Sequence, residues 1–369
     1  MSTEFFYIDY NKLHNFMKDV FIGLGYPEEE AQVSADVLIE ADLRGIQSHG
    51  IQRLKYYYVR VKSGQHLTNK YEVIKNNDAT AVIDGHHGNG HYISYKAMNM
   101  AIKKAKKYGI GMVVVRNSTH YGIAGYYPLM AIKEGCLGIT GTNARPAVVP
   151  TFGVEPMYGT NPLTFGFPTD EEFPFVLDCA TSIIQRGKVE IAARENKQLA
   201  EGVVIDRETG KSRTDAEQLL KDFVDKKAAL LPLGGVGEEL SGYKGYGYAT
   251  VVEILSAALQ DGVNLKDLSG FDKDGIETHF RVGHFFIAID PGFFMGLNTF
   301  KKIAGNICRG LRNSEKAPDA IKIYTAGEKE YEAEKEVKKK GVLINKSIQE
   351  DLIFMRNELG LTEYVFEFE

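Results

Sequence analysis

A chain of 369 residues with 44% hydrophobic and 25% charged side chains can bury a full globular core, and its length favours two domains. A formal net charge of −5, with no basic block interleaved with aromatics, argues against a nucleic-acid partner. No run of 18 apolar residues is present, the N-terminus MSTEFFYIDYNK lacks a basic region followed by an apolar run, and the three cysteines are scattered. A cytoplasmic protein without disulfides, zinc or membrane contact is expected.

The N-terminal part reads as mostly helical. Leu13, Phe16, Met17, Val20 and Phe21 recur at helical spacing, and Gly25 is placed to stop that helix. Pro27 followed by Glu28, Glu29 and Glu30 opens a second helix, whose apolar face (Ala31, Ala35, Val37, Leu38, Ala41) runs up to Arg44-Gly45. A third helix is expected from near Gly50, carrying Tyr56 to Val61, which leaves 44–50 as a polar helix-to-helix turn. Residues 72–83 alternate and end in Asp84-Gly85, a strand-and-turn signal; 97–107 is helical; IGMVVVR at 110–116 is a buried-type strand. The Gly- and Pro-rich middle, 137–181, carries short apolar runs at 163–167 and 175–177, which points to a largely antiparallel or mixed sheet. Helices are expected at 184–196, 244–261, 328–341 and 345–359, with FFIAID at 285–290 as a second buried strand. The basic stretch Lys335 to Lys340, alternating with glutamates, reads as a solvated helix face.

Several familiar signatures fail. Gly235-Val236-Gly237 has Leu240 where a dinucleotide fingerprint needs its third glycine, and Gly210-Lys211-Ser212 has Ile205 where a P-loop needs glycine. No His-Glu-x-x-His or Gly-x-Ser-x-Gly occurs.

What remains are concentrations of glycine, histidine and small polar residues. In 43–53, Ser48-His49 is flanked by Arg44 and Arg53; a guanidinium can clamp a carboxylate and an imidazole can exchange a proton near neutral pH. If the chain is helical from Gly50, His49 and Arg53 stand about one turn apart on one face. The alternative is a helix cap. Residues 116–125 (RNSTHYGIAG) follow a buried strand, where loops commonly bind ligands and where backbone amides can hold phosphate. Gly141-Thr142-Asn143 and Gly159-Thr160-Asn161 resemble paired turns lining a cleft. His86, His87 and His91 surround Gly88-Asn89-Gly90, read as a hairpin-like loop rather than a metal site.

Five motifs in order now carry a resemblance: Leu-Arg-Gly-Ile-x-Ser-His-Gly at 43–50, Ser-x-His-Tyr-Gly at 118–122, Gly-Thr-Asn-Pro at 159–162, Asp-x-Ala-Thr-Ser at 178–182 and Pro-Leu-Gly-Gly at 232–235. Over essentially the whole chain the sequence resembles the malate/L-lactate dehydrogenase family of the second type, distinct from the Rossmann dehydrogenases. The resemblance implies an α+β (mixed α/β) protein: a helical N-terminal domain and a non-Rossmann, mostly antiparallel-sheet nucleotide-binding domain. The expected division is 1–115 with 320–369 for the helical, substrate and dimerisation part, and 116–319 for the NAD(P)-binding part.

By the same resemblance His49 exchanges the proton at the substrate C2 oxygen, oriented by Ser48, while Arg53 grips the C1 carboxylate. His120 is the rival catalytic histidine. Thr160 and Asn143 are expected to contact substrate, with Arg44, Asn143 and Arg145 as candidates for a second carboxylate. Nucleotide contacts fall on His120, Tyr121, Gly122, Ile123 and Ala124, on Asp178, Cys179 and Ala180, on Arg186 and Gly187, and on Gly327 and Glu328. Where some members place an Asp in a relay with the Ser-His pair, this chain has Glu190. The implied activity is hydride transfer between NAD or NADP (NAD favoured) and a small 2-hydroxy or 2-oxo acid, malate first, in a homodimer with its active site near the interface. The same-family alternatives are ureidoglycolate, another 2-oxo acid or a cyclic imine acid. A hydrolase built on Ser48 and His49 is the remote alternative, since adjacent Ser and His side chains at a turn more often point apart.

Overall fold

The structure, a computed structural model, describes residues 5–68, 70–272 and 274–369. The chain begins with β1 (Phe6–Ile8), α1 (Tyr10–Gly23), α2 (Glu28–Leu43) and α3 (Leu54–Lys62), with two short 3-10 turns, Gln47–His49 and Ile51–Arg53, ahead of α3. The sheet region follows with β2 (Glu72–Asn76), β3 (Thr80–Asp84), α4 (Gly90–Tyr108), β4 (Ile110–Ser118), α5 (Tyr126–Lys133), β5 (Leu137–Thr142), β6 (Leu163–Phe167) and β7 (Phe175–Cys179). Next come α6 (Arg186–Arg194), β8 (Val204–Asp206), α7 (Ala216–Val224), β9 (Ala228–Leu230), α8 (Gly242–Ala257) and β10 (Val282–Ile289). The chain closes with α9 (Leu297–Arg312), α10 (Glu328–Lys340), β11 (Val342–Ile344) and α11 (Lys346–Leu359).

The main sheet has seven strands in the order β2-β3-β4-β10-β5-β6-β7, and only β3 and β4 run parallel. The mostly antiparallel, non-Rossmann sheet expected above is therefore present. Strand β10 lies at its centre because both of its faces are covered, as its unbroken apolar run requires. Phe286 and Ala288 join the core with Val113, Val115 and the small residues Ala97, Ala101 and Ala105 of α4. Phe285 turns the other way, onto Val114 and Val252 of α8.

The helical part has its own core, in which Phe16, Met17, Phe21, Leu38, Tyr57, Leu352 and Met355 meet. β1 pairs with β11, so the two ends of the chain are tied together beneath these helices. Helix α2 joins the two parts. It is buried on nearly every side, and Val37 lies so close to Gly122 that a Cβ there would sit 2.3 Å from its Cγ1.

Three readings need correction. The boundary at 115/116 falls inside β4, and β2 and β3 before it belong to the same sheet, because the period-2 segments after Tyr71 pair with β4 rather than pack on the helices. The stretch 72–83 is two strands, not one. The His86–His91 segment is no hairpin: Asn89 caps α4 by accepting from the His91 amide, and His91 stands in the first helical turn. Among the described residues no His/Cys/Asp/Glu group could hold a metal ion, and no helix is long and apolar enough to cross a membrane.

Candidate active site

The site begins where α2 ends. Gly45 turns the chain with φ +72°, the Ile46 amide returns to the Ala41 carbonyl, and the two 3-10 turns present Ser48-His49 and Arg53. Beneath them lies Asp42, 2% exposed, whose Oδ2 accepts the Ile51 amide at 2.7 Å. A Cβ on Gly50 would stand 1.9 Å from Asp42 Oδ1, so only glycine lets the chain pass over this carboxyl. Burial pushes the Asp42 carboxyl up to about 8, so it is held as the neutral acid at neutral pH. Residue patterns gave no sign of Asp42, which reads there as one polar residue on a helix.

Ser48 Oγ lies 2.9 Å from His49 Nδ1, so these neighbours point together rather than apart. The contact orients the ring and leaves Nε2 as the reacting nitrogen. It does not make a hydrolase triad: the serine takes Nδ1, the nitrogen an orienting acid would occupy, and among the described residues no carboxylate bonds His49. Burial, with the Arg53 cation second, lowers the His49 imidazole to about 4, so it starts neutral and able to accept a proton. Arg53 is exposed and its Nε donates to the Ser48 carbonyl at 2.7 Å, which fixes the fork beside the histidine.

The His120 ring stacks toward His49, with centroids 5.7 Å apart. The 116–125 loop brings it there, between β4 and α5. Its Nδ1 receives the Gly122 amide at 3.3 Å and lies 2.5 Å from the Tyr57 hydroxyl. An amide can only donate, so Nδ1 is the acceptor and the proton of neutral His120 sits on Nε2. The Tyr57 hydroxyl therefore donates to His120 and accepts from His91 Nε2 at 3.0 Å. Burial, with His49 second, holds His120 well below the usual histidine range, and burial lowers His91 to about 3. His120 is thus a neutral hydrogen-bond donor toward the cleft, while His49 is the better proton acceptor. Tyr57 stands four residues after Arg53 on α3, a spacing that would have flagged it.

The remaining motifs converge on Thr181. Its amide and Oγ1 reach the Thr160 carbonyl at 2.9 and 3.1 Å, and its carbonyl accepts the Leu233 amide at 2.8 Å. Asp178 ties this wall to the His120 loop by accepting the Gly125 amide at 2.7 Å, and burial raises its carboxyl. Asn143 bonds within the protein. It is 1% exposed, its Oδ1 accepts the Gly283 amide, and its Nδ2 faces Glu253 and the Val263 carbonyl. Glu253 also receives Asn161 at 2.8 Å, so one carboxylate pins both Gly-Thr-Asn turns.

A dinucleotide fits this wall. Tyr121, Ile123 and Ala124 bury their side chains, so that stretch offers main chain only. Ser182 Oγ and Asn161 Oδ1 are buried without a partner beside Thr160 and Thr181, and Arg186 is exposed at the start of α6. Asp178, Cys179 and Ala180 are half-buried at the end of β7. Gly327 packs at the other end of that strand, against Pro174 and Val176. Glu328 does not fit a nucleotide contact: it is 5% exposed and spent on Lys322 at 2.7 Å and on the Thr325 amide. Glu190, which stands where some family members place the relay Asp, pairs with Arg186 at 3.3 Å. Arg44 is paired with Glu40 at 2.6 Å, while Arg145 bonds the Ser269 carbonyl.

The family model for malate/L-lactate dehydrogenase matches residues 8–353. The chain is 42% identical over 352 residues to a malate dehydrogenase of Pyrococcus horikoshii, covering 95% of each. Its fold superimposes on the crystal structure of malate dehydrogenase from Entamoeba histolytica with a TM-score of 0.92 at 44% identity, covering 97% of this chain and 99% of that one. It superimposes on sulfolactate dehydrogenase from Methanocaldococcus jannaschii with a TM-score of 0.85 at 36% identity, covering 96% and 97%. The chain therefore belongs to the malate/L-lactate dehydrogenase family and is an oxidoreductase acting on CH–OH groups.

Proposed function

We propose that the protein is an NAD(P)-dependent dehydrogenase of small 2-hydroxy acids, with malate as the first candidate substrate. The observation that carries this reading is a neutral, half-buried His49 oriented by Ser48 beside the Arg53 guanidinium. A nicotinamide cofactor, when bound, takes up or gives the hydride at the substrate C2. Arg53 binds the C1 carboxylate as a fork, which fixes C2 and its oxygen near the two histidines. In oxidation His49 Nε2 accepts the proton of the 2-hydroxyl, and its Nδ1–H donates to Ser48 Oγ before and after. His120 donates from Nε2 and so supports the oxygen or an amide without taking its proton. In reduction His49 must first be protonated. A bound carboxylate offsets the Arg53 charge and raises its affinity for that proton.

NAD is proposed ahead of NADP. A homodimer is proposed from the apolar groove between α9 and the sheet, lined by Phe167, Phe175, Phe294, Ile303, Ile307 and Leu311. The free cysteines Cys136, Cys179 and Cys308 suit the reducing cytoplasm.

The test is a panel of oxaloacetate, pyruvate, 2-oxoglutarate, ureidoglycolate and piperideine-2-carboxylate with reduced and oxidised NAD and NADP, followed at the nicotinamide absorbance. Turnover of oxaloacetate is expected. Silence toward every pair would end the dehydrogenase reading, and turnover of ureidoglycolate or the imine alone would move the substrate within the family.

A further inference from the structure

Strand β10 carries one polar side chain where its pattern calls for an apolar one. Phe286 and Ala288 join the core beneath α4, and the next residue on that face is His284, which is fully buried. The sheet is bulged at this point: the step from Val282 to His284 opposes the longer step from Ser118 to Val115 of β4, where Asn117 has φ +50°. The bulge stands directly before the loop that carries His120. The His284 ring lies flat on Tyr121, with centroids 4.6 Å apart and planes 4° from parallel, and Tyr127 stacks on the same tyrosine at 5.0 Å. Its Nδ1 is 2.7 Å from Thr142 Oγ1. That hydroxyl also faces the carbonyls of Asn143 and Gly283, each at 2.9 Å. A carbonyl can only accept, so the threonine proton goes to them and the threonine oxygen accepts Nδ1–H of His284. Burial lowers the ring to about 3 and holds it neutral, and the group opposing that shift is the Thr119 carbonyl. One imidazole thus lies against both chain neighbours of His120 and bonds the Gly141-Thr142-Asn143 turn.

We infer that His284 is a positioning residue for His120, whose loop it fixes relative to the Gly141-Thr142-Asn143 turn. This inference rests on the proposed dehydrogenase reading, in which His120 donates from Nε2 into the cleft. His284 is buried and acts only through its neighbours. Tyr57 sets which nitrogen of His120 carries the proton, while His284 sets where the backbone that bears the ring stands. The turn is a firm reference, because the Gly283 amide donates to Asn143 Oδ1 at 2.8 Å and Glu253 receives Asn143 Nδ2. A phenyl group at 284 keeps the stack on Tyr121 but loses the directional bond to Thr142, so the loop is no longer tied to one place. The His284 Nε2 has no partner, and an apolar side chain would fill this site without that penalty. A buried imidazole kept at such a cost has a task beyond filling the core.

The experiment is a double-mutant cycle read in kcat and KM for oxaloacetate, at saturating cofactor, with the full-length enzyme, His284→Phe, His120→Ala and the double variant. His284→Phe is expected to raise KM by about 5-fold, within the range of couplings between neighbouring residues, and to change kcat by less than about 2-fold. In the His120→Ala background the same substitution is expected to raise KM no further, because the group it positions is gone. A side chain that only supports the core would raise KM by the same factor in both backgrounds. That result, or an unchanged KM in His284→Phe, would overturn the inference and leave the dehydrogenase reading intact. Should His284→Phe fail to fold, Thr142→Val removes the oxygen at the other end of the bond while keeping its shape, and the same comparison is made with it. An unmodified enzyme that turns over no 2-oxo acid removes both readings.

Discussion

The imidazole rings of His49 and His120 lie 5.7 Å apart and 28° from parallel, yet the groups behind them assign them opposite tasks. His49 has Ser48 behind Nδ1 and a reactive Nε2, while His120 has its Nδ1 filled by Tyr57 and by the Gly122 amide. His49→Ala should therefore lower kcat by at least ~100-fold with little change in nucleotide affinity. His120→Ala should act chiefly on KM. Steady-state kinetics with cofactor titration measures both, and a larger kcat loss in the His120 variant would exchange the roles.

Tyr57 is the strut that sets the His120 tautomer. Tyr57→Phe removes one of the two donors to His120 Nδ1 and the acceptor for His91 Nε2, leaving that buried nitrogen unpaired at a cost of about 1–3 kcal/mol. A lower melting temperature together with a raised KM is expected. A variant with unchanged KM would show that the hydroxyl is needed for packing alone.

Gly50 and Asp42 act as one unit. Gly50→Ala places a methyl group on the Asp42 carboxyl, so the Ser48-His49 turn must shift and turnover should fall by at least ~10-fold, as displacements near 1 Å do. Asp42→Asn keeps the shape but cannot ionise. Asp42 binds its proton more tightly when folded, so it subtracts stability as pH rises from its unfolded value towards about 8. The stability of Asp42→Asn relative to the parent, measured by denaturant unfolding, should grow steadily between pH 5 and 8, whatever slope the histidines impose on both.

Acid should unfold the site through its histidines. Burial lowers His49 to about 4 and His66, His91 and His284 to about 3. A depressed histidine means that the unfolded chain binds the proton more readily. Stability is therefore complete above the unfolded value near ~6.5 and lost as pH falls toward 3–4, at about 1.4 kcal/mol per unit and histidine. Unfolding followed from pH 7 to 4 should show a slope of more than one proton, and a flat profile would mean these rings are charged or hydrated in the folded state.

Much of this protein follows from local pattern. The helices α1 and α2, the strands β4 and β10, and the last two helices appear in the chain as apolar periods closed by Gly25, Arg44-Gly45 and Asp290, because burying one face of a helix or both faces of a strand leaves that mark. The motifs around Ser48-His49, His120 and Thr181 were likewise visible, since glycine and small polar residues cluster where backbone must pass close to a ligand or another chain segment. Helices α5, α7 and α9 went unread, although α9 has a strong apolar stripe, because short turns and glycines on either side hide their limits.

What only the tertiary structure decided are pairings between residues distant in sequence. It joined Asn143 to Glu253, Glu328 to Lys322, and Glu190 to Arg186. It set Asp42 under Gly50, Tyr57 between His91 and His120, and Arg60 opposite Arg145 across Phe280. Residue type states which chemistry a side chain can perform; burial and neighbours choose its protonation state and direction, and both are properties of the assembled fold.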